Sequence, residues 1–296
     1  MISKTKGYIL AILAVLFWSF NVIVAKYFAN TFTPWQISFY RWFFASICLI
    51  PFTLGDIIKK HDIIFKNFKI IFWLSITGIV LMNTFSYIAG DTISAVEMSL
   101  IGVMGPVFIV ILSRIFYDIH ISLRQVWGII ISFIGVIAIV LHGKFLSSNF
   151  AFKIGDLWML MLALSFGIYS VIMIKRPKEI SQTTLLSCII LLGTTIILPF
   201  FLWDSFHHPV CDKWNLISVG ALLYMGIFNS VLSYLFWNIS LDTIGSLKAS
   251  VIYYLMPIFS SIEAYFLLNE EIYKAQIYGG ILVLIGIYLT NEKKKS

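Results

Sequence analysis

The chain has 296 residues, of which 60% are hydrophobic and only 12% charged, and it carries a net charge of +7 with a mean hydropathy of +0.94. A soluble domain usually has about 25% charged residues. The composition therefore excludes an ordinary soluble protein and indicates a polytopic membrane protein. The three cysteines, Cys48, Cys188 and Cys211, have no metal-ligand spacing and imply no disulfide framework.

Ten apolar runs follow one another along the chain, each near the length of about 20 residues that a helix needs to cross a bilayer. They predict transmembrane helices rather than barrel strands, which are about half as long and alternate in polarity. The first run has lysines before it, but its full length and the lack of a small-residue cleavage site favour a helix over a signal peptide. The runs cover residues 8–28, 34–54, 70–89, 93–116, 124–142, 154–174, 183–203, 216–237, 244–268 and 273–290.

The basic residues predict the orientation of these helices. An even number of spans places both termini on one side, and most of the 21 Lys and Arg residues fall in the segments of that side. The positive-inside rule then predicts cytoplasmic N- and C-termini in the cell (inner) membrane. The net positive charge is thus a topology signal, and no nucleic-acid partner is expected.

The second half of the chain repeats the first. At the offset that carries Pro106 onto Pro257, Asp91-Thr92-Ile93 also falls on Asp242-Thr243-Ile244 without a gap. A slightly shorter offset relates the earlier parts and carries Pro51 onto Pro199. We interpret this as a duplication with halves 1–148 and 149–296.

Each half holds five predicted spans. Because five is odd, the second half enters the membrane from the opposite side. The predicted fold is therefore all-α, with ten transmembrane helices in two inverted five-helix repeats. Inverted repeats are the architecture of secondary transporters, which bind substrate near the bilayer midplane between the repeats.

Two stretches carry a family resemblance. They are LFWSFNVIVAKY in the first span and YLMPIFSSIEAYFLLNEEIYKAQIYGGILVLIGIYL at residues 254–289, which the first half echoes as VMGPVFIVILSRIFYDIHISLRQVWGIIISFIGVIAIV. The whole chain resembles the EamA branch of the drug/metabolite transporter superfamily. The resemblance implies transport, often export, of amino acids, their derivatives or similar metabolites. The family's acidic residue after span 9 is Glu270 here, whereas the first half has Ile119 at that position with Asp118 beside it.

Five of the charged residues within the predicted spans are candidate gate residues. An intramembrane charge costs about 3 kcal/mol on insertion scales, so it usually faces a partner or a polar path. Glu97 and Lys248 occupy the same repeat position, and we expect them to line the outer and the inner entrance. We also predict a neutral gate network at the outer mouth, formed by Glu97 with Lys26, Arg41 and Glu263. Within it, Arg41 or Lys26 is the expected partner of Glu97. The alternatives are snorkelling to the interface for Lys26 and Lys248, and a purely structural ion pair for Arg41.

A substrate cavity is predicted from the polar residues deep in the spans. Pro106 and Pro257 are expected mid-helix, where each would remove a backbone hydrogen bond and bend its helix beside the cavity. The alternative is a structural kink without ligand contact. The other candidate cavity residues are Asn21, Asn83, Tyr87, Tyr169, Asn229, Tyr234, Asn238 and Tyr253.

The sequence thus predicts a secondary transporter of a small polar metabolite, working by alternating access. No P-loop, H-E-x-x-H or G-x-S-x-G motif occurs, so neither a cofactor, nor a catalytic residue, nor a metal site is expected, and energy would come from proton coupling or exchange. The expected partners are a small-molecule substrate and the lipid bilayer. Two alternatives are a non-transporting structural or assembly subunit and a membrane-embedded enzyme, although neither explains an inverted repeat.

Overall fold

The computed structural model describes residues 4–29, 31–118, 121–140, 153–209, 214–244, 252–253 and 255–291, and within these residues all regular secondary structure is helical. Lys248 lies outside the described residues, and the side chains of Pro106 and Asn238 also lie outside the description. The helices are α1 (Lys4–Phe28), α2 (Pro34–Lys59), α3 (His61–Lys66), α4 (Phe68–Gly90), α5 (Ala95–Gly102), α6 (Gly105–Tyr117), α7 (Leu123–Val140), α8 (Ile154–Met173), α9 (Gln182–His207), α10 (216–244), α11 (Met256–Leu268) and α12 (Lys274–Asn291).

In the described part of the chain, seven helical segments are long and apolar enough to cross a membrane: Lys4–Phe28, Pro34–Lys59, Phe68–Gly90, Ala95–Tyr117, Ile154–Met173, Gln182–His207 and Leu216–Trp237. Three shorter apolar helices are Leu123–Ile139, Met256–Leu268 and Lys274–Leu289. Large apolar side chains such as Phe52, Phe206 and Phe266 are exposed on the outside of the bundle. Such an apolar surface is stable in contact with lipid, and with several helices long enough to cross a bilayer it identifies a multi-pass membrane protein.

Helices α2 and α9 pack against each other and have matching ends. Each is 26 residues long and begins after a hydroxyl residue, Thr33 or Ser181, whose side chain accepts a hydrogen bond from a backbone N–H of the first turn. Such caps satisfy donors that the first turn leaves unpaired. Both helices run a few residues past the predicted apolar runs, because the polar residues that follow continue the helix beyond the hydrocarbon core.

The N-terminal end of each of these two helices also forms a hydrogen bond with an aspartate in the last turn of the other helix. Asp56, in the last turn of α2, accepts a hydrogen bond from Thr184 Oγ1 at 2.6 Å. Asp204, in the last turn of α9, accepts one from the Thr33 hydroxyl. Each aspartate also pairs with the residue four positions on, Lys60 at 3.2 Å or His208 at 3.3 Å. The two helices are therefore antiparallel and joined by a carboxylate at both ends.

The two prolines differ from the prediction that placed them mid-helix. Helix α5 ends at Gly102, and Pro106 lies in the first turn of a new helix, α6. Pro257 likewise lies in the first turn of α11, which begins at Met256. A first turn suits proline because its missing N–H would have no intrahelical partner there. Span 4 is therefore broken into two helices rather than bent.

Two other spans contain π-helical turns, at Ile76–Leu81 in α4 and at Met225–Leu232 in α10. A π turn widens the helix and leaves backbone carbonyl groups for other donors. Asn83 Nδ2 donates to the Gly78 carbonyl at 3.0 Å, and Ser233 Oγ donates to the Phe228 carbonyl at 2.7 Å. Both π segments face the centre of the bundle, where they help to shape the cavity described below.

Helices α7 and α12 pack backbone to backbone through glycines. A Cβ added at Gly279 would lie 2.8 Å from the Gly135 carbonyl oxygen, and one at Gly135 would lie 2.7 Å from the Gly279 oxygen. Small residues permit this close approach, which is a usual way of joining helices in lipid. These two helices form one side of the bundle, away from the cavity.

Candidate functional site

A cavity of about 600 Å³ lies in the middle of the bundle, lined by α1, α2, α4, α5, α6, α8, α9, α10 and the first turn of α11. Its size is typical of a small-molecule site. Among the residues predicted for the pathway and the gate, those that line it are Asn21, Arg41, Asn83, Tyr169, Asn229, Tyr234 and Tyr253. Tyr87 does not line the cavity but accepts a hydrogen bond from Arg41, which does. Pro257 is buried and does not line the cavity.

The cavity reaches one end of the bundle and is closed at the other. At the end where α8 connects to α9, the lining includes Arg176 and Gln182, and Gln182 is exposed. At the opposite end, where α1 connects to α2, Phe28, Phe32 and Ile37 are buried. As far as the described residues define its walls, the cavity is therefore accessible from the α8–α9 end.

Arg41 is the charged group at the centre of the site, and it is only 3% exposed. Its Nε donates to Ser230 Oγ at 2.8 Å. Its Nη1 faces three acceptors, Asn21 Oδ1 at 2.9 Å, Asn83 Oδ1 at 2.6 Å and Tyr87 Oη at 2.8 Å. These neutral groups come from α1, α4 and α10, so Arg41 organises polar side chains from both halves of the chain.

Asn229 ties α10 to α1. Its Nδ2 donates to the Phe17 carbonyl at 2.7 Å, its backbone carbonyl accepts from Trp18 Nε1 at 3.1 Å, and its side-chain Oδ1 has no hydrogen-bond partner among the described residues. Asn229 is fully buried. The residue therefore fixes the indole of Trp18, which lines the cavity.

Aromatic rings form much of the cavity wall. The ring of Trp18 lies 5.3 Å from that of Trp237 and 5.4 Å from that of Tyr234, and the ring of Phe166 stacks on Tyr253 at 6.4 Å. Sequence reasoning missed Trp18, Phe166 and Trp237 as cavity residues. Aromatics make up 17% of the chain, and nothing in their spacing separates wall residues from interfacial anchors.

The predicted gate network differs from the observed contacts. Lys26 donates to the Gly90 carbonyl at 2.9 Å, and Glu263 accepts from Ser19 Oγ at 2.8 Å. Among the described residues, no ion pair joins Lys26 or Arg41 to Glu263. Arg41 lies too deep for such a network and is bonded by amides and hydroxyls instead.

Glu97 also differs from the expectation that it lines an outer entrance. It is 2% exposed and is absent from the cavity wall. Its carboxylate accepts from the Ser94 backbone N–H at 3.0 Å, while Ser94 Oγ accepts from the Glu97 N–H at 3.1 Å. This reciprocal pair is a capping box at the start of α5.

A second carboxylate, Glu270, holds the same helix start from the other half of the chain. Its Oε1 and Oε2 accept from the backbone N–H groups of Ala95 at 3.0 Å and Val96 at 3.4 Å. Gln276 Nε2 adds a hydrogen bond to Ser94 Oγ at 3.4 Å. Glu270 is the acidic residue after span 9 that the family resemblance identified. It bonds the first turn of α5 near the closed end of the cavity. Within the described part of the chain, no group of three or more His, Cys, Asp or Glu side chains has a metal-binding arrangement.

Comparison with known proteins agrees with this picture. A protein of Archaeoglobus fulgidus named as an uncharacterized transporter is 29% identical over 98% of this chain and 99% of its own length. The Bacillus subtilis uncharacterized transporter YyaM is 28% identical over 91% of this chain and 87% of its own length. A solved crystal structure with 16% identity aligns with a TM-score of 0.62 over 97% of this chain and 96% of the other, which shows a likeness of fold. The model of the EamA-like transporter family matches residues 5–141 and 153–292. The resemblance read from the sequence is thereby confirmed, and the chain belongs to the EamA-like transporter family.

Proposed function

We propose that this protein is a secondary transporter that carries a small polar metabolite, such as an amino acid or a derivative, by alternating access. The observation that carries the proposal is the central cavity, which both halves of the chain line and which, among the described residues, is open at the α8–α9 end and covered at the other. Alternating access requires a site of this kind, exposed to one side at a time. A structural subunit or an enzyme without clustered acid and base groups has no comparable need for it.

The proposed architecture is ten transmembrane helices in two inverted halves, residues 1–148 and 149–296. The caps of α2 and α9 support it, because Asp56 and Asp204 hold equivalent positions at opposite ends of an antiparallel pair. Asp118 and Asn269, which close α6 and α11 in left-handed conformations with φ of 51° and 54°, are likewise related by the repeat. An inverted duplication carries the same local structure to the other face.

The proposed location is the cytoplasmic (inner) membrane, with both termini in the cytoplasm. In that orientation the α8–α9 connection, with Arg176, is cytoplasmic, so the cavity faces inward. Energy would come from proton coupling or from exchange, since the sequence carries no nucleotide-binding motif.

The experiment uses two hydroxyl residues that make the same backbone bond. Ser170 lines the cavity and Thr195 is exposed on the outside of α9, and each hydroxyl donates to the carbonyl four residues earlier. Ser170→Cys and Thr195→Cys are placed in a chain whose Cys48, Cys188 and Cys211 are alanine. Flux of labelled metabolites is then measured in proteoliposomes before and after an impermeant thiol reagent is added.

We expect the reagent to modify the cysteine at position 170 from the cytoplasmic face and to block flux, and a transported metabolite to slow the modification. The Thr195→Cys protein should keep its flux, since its thiol faces lipid. Undiminished flux after complete modification at position 170 would show that the cavity is not the transport path.

A further inference from the structure

The guanidinium of Arg41 is buried without a negative partner. Every hydrogen bond that it makes goes to a neutral oxygen, on Ser230, Asn21, Asn83 or Tyr87. Among the described residues, no carboxylate lies within ion-pair distance of it. Arginine keeps its proton in proteins, so it cannot escape burial by becoming neutral. Within the described part of the chain, this buried charge therefore has no anionic partner, which makes it a candidate contact for an anionic ligand.

Arg41, whose guanidinium carbon lies 4.5 Å from the centre of the Trp42 ring, also has a donor nitrogen that its hydrogen bonds leave unused. Its Nε and Nη1 are occupied, whereas Nη2 makes no hydrogen bond to any described residue. Because Arg41 lines the cavity, an incoming group can approach this nitrogen. The N–H groups of Nη2 can donate to a carboxylate oxygen, and charge-assisted bonds of this type are about twice as strong as neutral ones.

The rest of the wall defines the charge and shape of the ligand. Among the described residues around the cavity, the charged ones are Arg41 and Arg176, and none is acidic. An ammonium group would find no carboxylate there, and two cationic residues would oppose it. The rings of Trp18, Phe166 and Trp237 offer an apolar surface to the body of the ligand. One free guanidinium nitrogen suits one monovalent group rather than a phosphate dianion.

We propose that the substrate is a net-negative organic monocarboxylate with an apolar or aromatic body, and that Arg41 binds its carboxylate. This rests on the proposed transport function and narrows its substrate from polar metabolites in general to organic anions. Arg176, at the open end, attracts anions towards the cavity by its field.

The test compares four small molecules with the same body and different charge. They are 3-phenylpropionate, its neutral amide, 3-phenylpropylamine and phenylalanine, a zwitterion. Binding to the purified full chain in detergent is measured by thermal shift, because a ligand of the folded state raises the melting temperature with its concentration. We expect the carboxylate to bind at least tenfold more tightly than the amide or the amine, and more tightly than the zwitterion.

Two variants separate binding from folding. Arg41→Met should lower the affinity for the carboxylate by at least tenfold. Asn83→Asp places a carboxylate where Oδ1 now lies 2.6 Å from Arg41 Nη1. This variant should raise the melting temperature without ligand and abolish carboxylate binding, a result that a purely structural role for Arg41 does not produce.

The same four compounds are also tested for flux in proteoliposomes, which separates this inference from the proposed function. Binding and flux of the zwitterion or the amine, with the carboxylate inactive, would overturn the anion assignment while leaving a transporter. Equal carboxylate affinity in the wild type and in the Asn83→Asp protein would also overturn it. Absence of binding and flux for all four compounds would count against both proposals.

Discussion

Glu270→Gln should shift the protein towards a conformation that is open at the end now closed. Glu270 is, together with Gln276, a contact by which the second half holds the start of α5, and it acts through the N–H groups of Ala95 and Val96. In the proposed alternating-access cycle, opening of that end would separate these groups. The contact therefore stabilises the closed-end conformation over its alternative, and weakening it changes the balance between the two.

The magnitude follows from the type of bond that is lost. Hydrogen bonds to a charged acceptor contribute about 1.5–3 kcal/mol, and a negative charge at a helix N-terminus adds about 0.3–1 kcal/mol. Glutamine keeps one acceptor oxygen, so we expect a net loss of about 1.4 kcal/mol. That difference corresponds to about a tenfold larger population of the conformation open at this end.

The assay is thiol labelling from the outside. Met98 lines the cavity near its closed end and is fully buried, so Met98→Cys, in the chain without other cysteines, reacts with an external impermeant reagent only when that end opens. The labelling rate is then proportional to the open population. Glu271→Gln is the control, because it removes the same charge from an exposed neighbour. Equal labelling rates in the two variants would refute the assignment of Glu270 as a gate contact.

Three further predictions concern packing and the polar centre. Gly279→Val should destabilise the protein by about 1–3 kcal/mol by forcing α7 and α12 apart, whereas Gly220→Val, where an added Cβ meets nothing within 4 Å, should have little effect on the melting temperature. Asp204→Asn, which removes the charge bonded to Thr33, should lower the melting temperature more than Asn replacement of the exposed Asp62, and equal shifts would contradict a role in joining α2 to α9. Asn83→Ala should raise the substrate concentration for half-maximal flux while leaving the amount of folded protein in the membrane unchanged, and unaltered flux kinetics would mean that this amide only connects helices, at about 0.6 kcal/mol.

Apolar length and charge distribution were sufficient to predict the membrane class and the approximate helix positions. The predicted run 154–174 and the observed Ile154–Met173 agree closely. The break before Pro106 was not predicted, because a proline within a long apolar run reads as a kink whether the helix bends or restarts. The π turn at Ile76–Leu81 has no sequence signal comparable to a cap, although in the folded protein Asn83 Nδ2 donates to the carbonyl groups of Gly78 and Ile79 within it.

The buried charges show why the composition of a span predicts its functional residues incompletely. Glu97 follows Ser94 by three residues, and this Ser-x-x-Glu spacing is a local capping signature that reasoning from repeat position and depth overlooked. Arg41 has no acidic residue three or four positions away on α2, so local pairing cannot account for it. Its partners come from residues about 20 to 190 positions away in the chain, and only the assembled bundle brings them together. For a charged residue within a span, the first question is therefore whether hydrogen bonds within its own helix account for it. Glu97 is bonded within its own helix start by Ser94, whereas the hydrogen-bond partners of Arg41 come from other helices, which is why Arg41 and not Glu97 is the residue proposed to contact substrate.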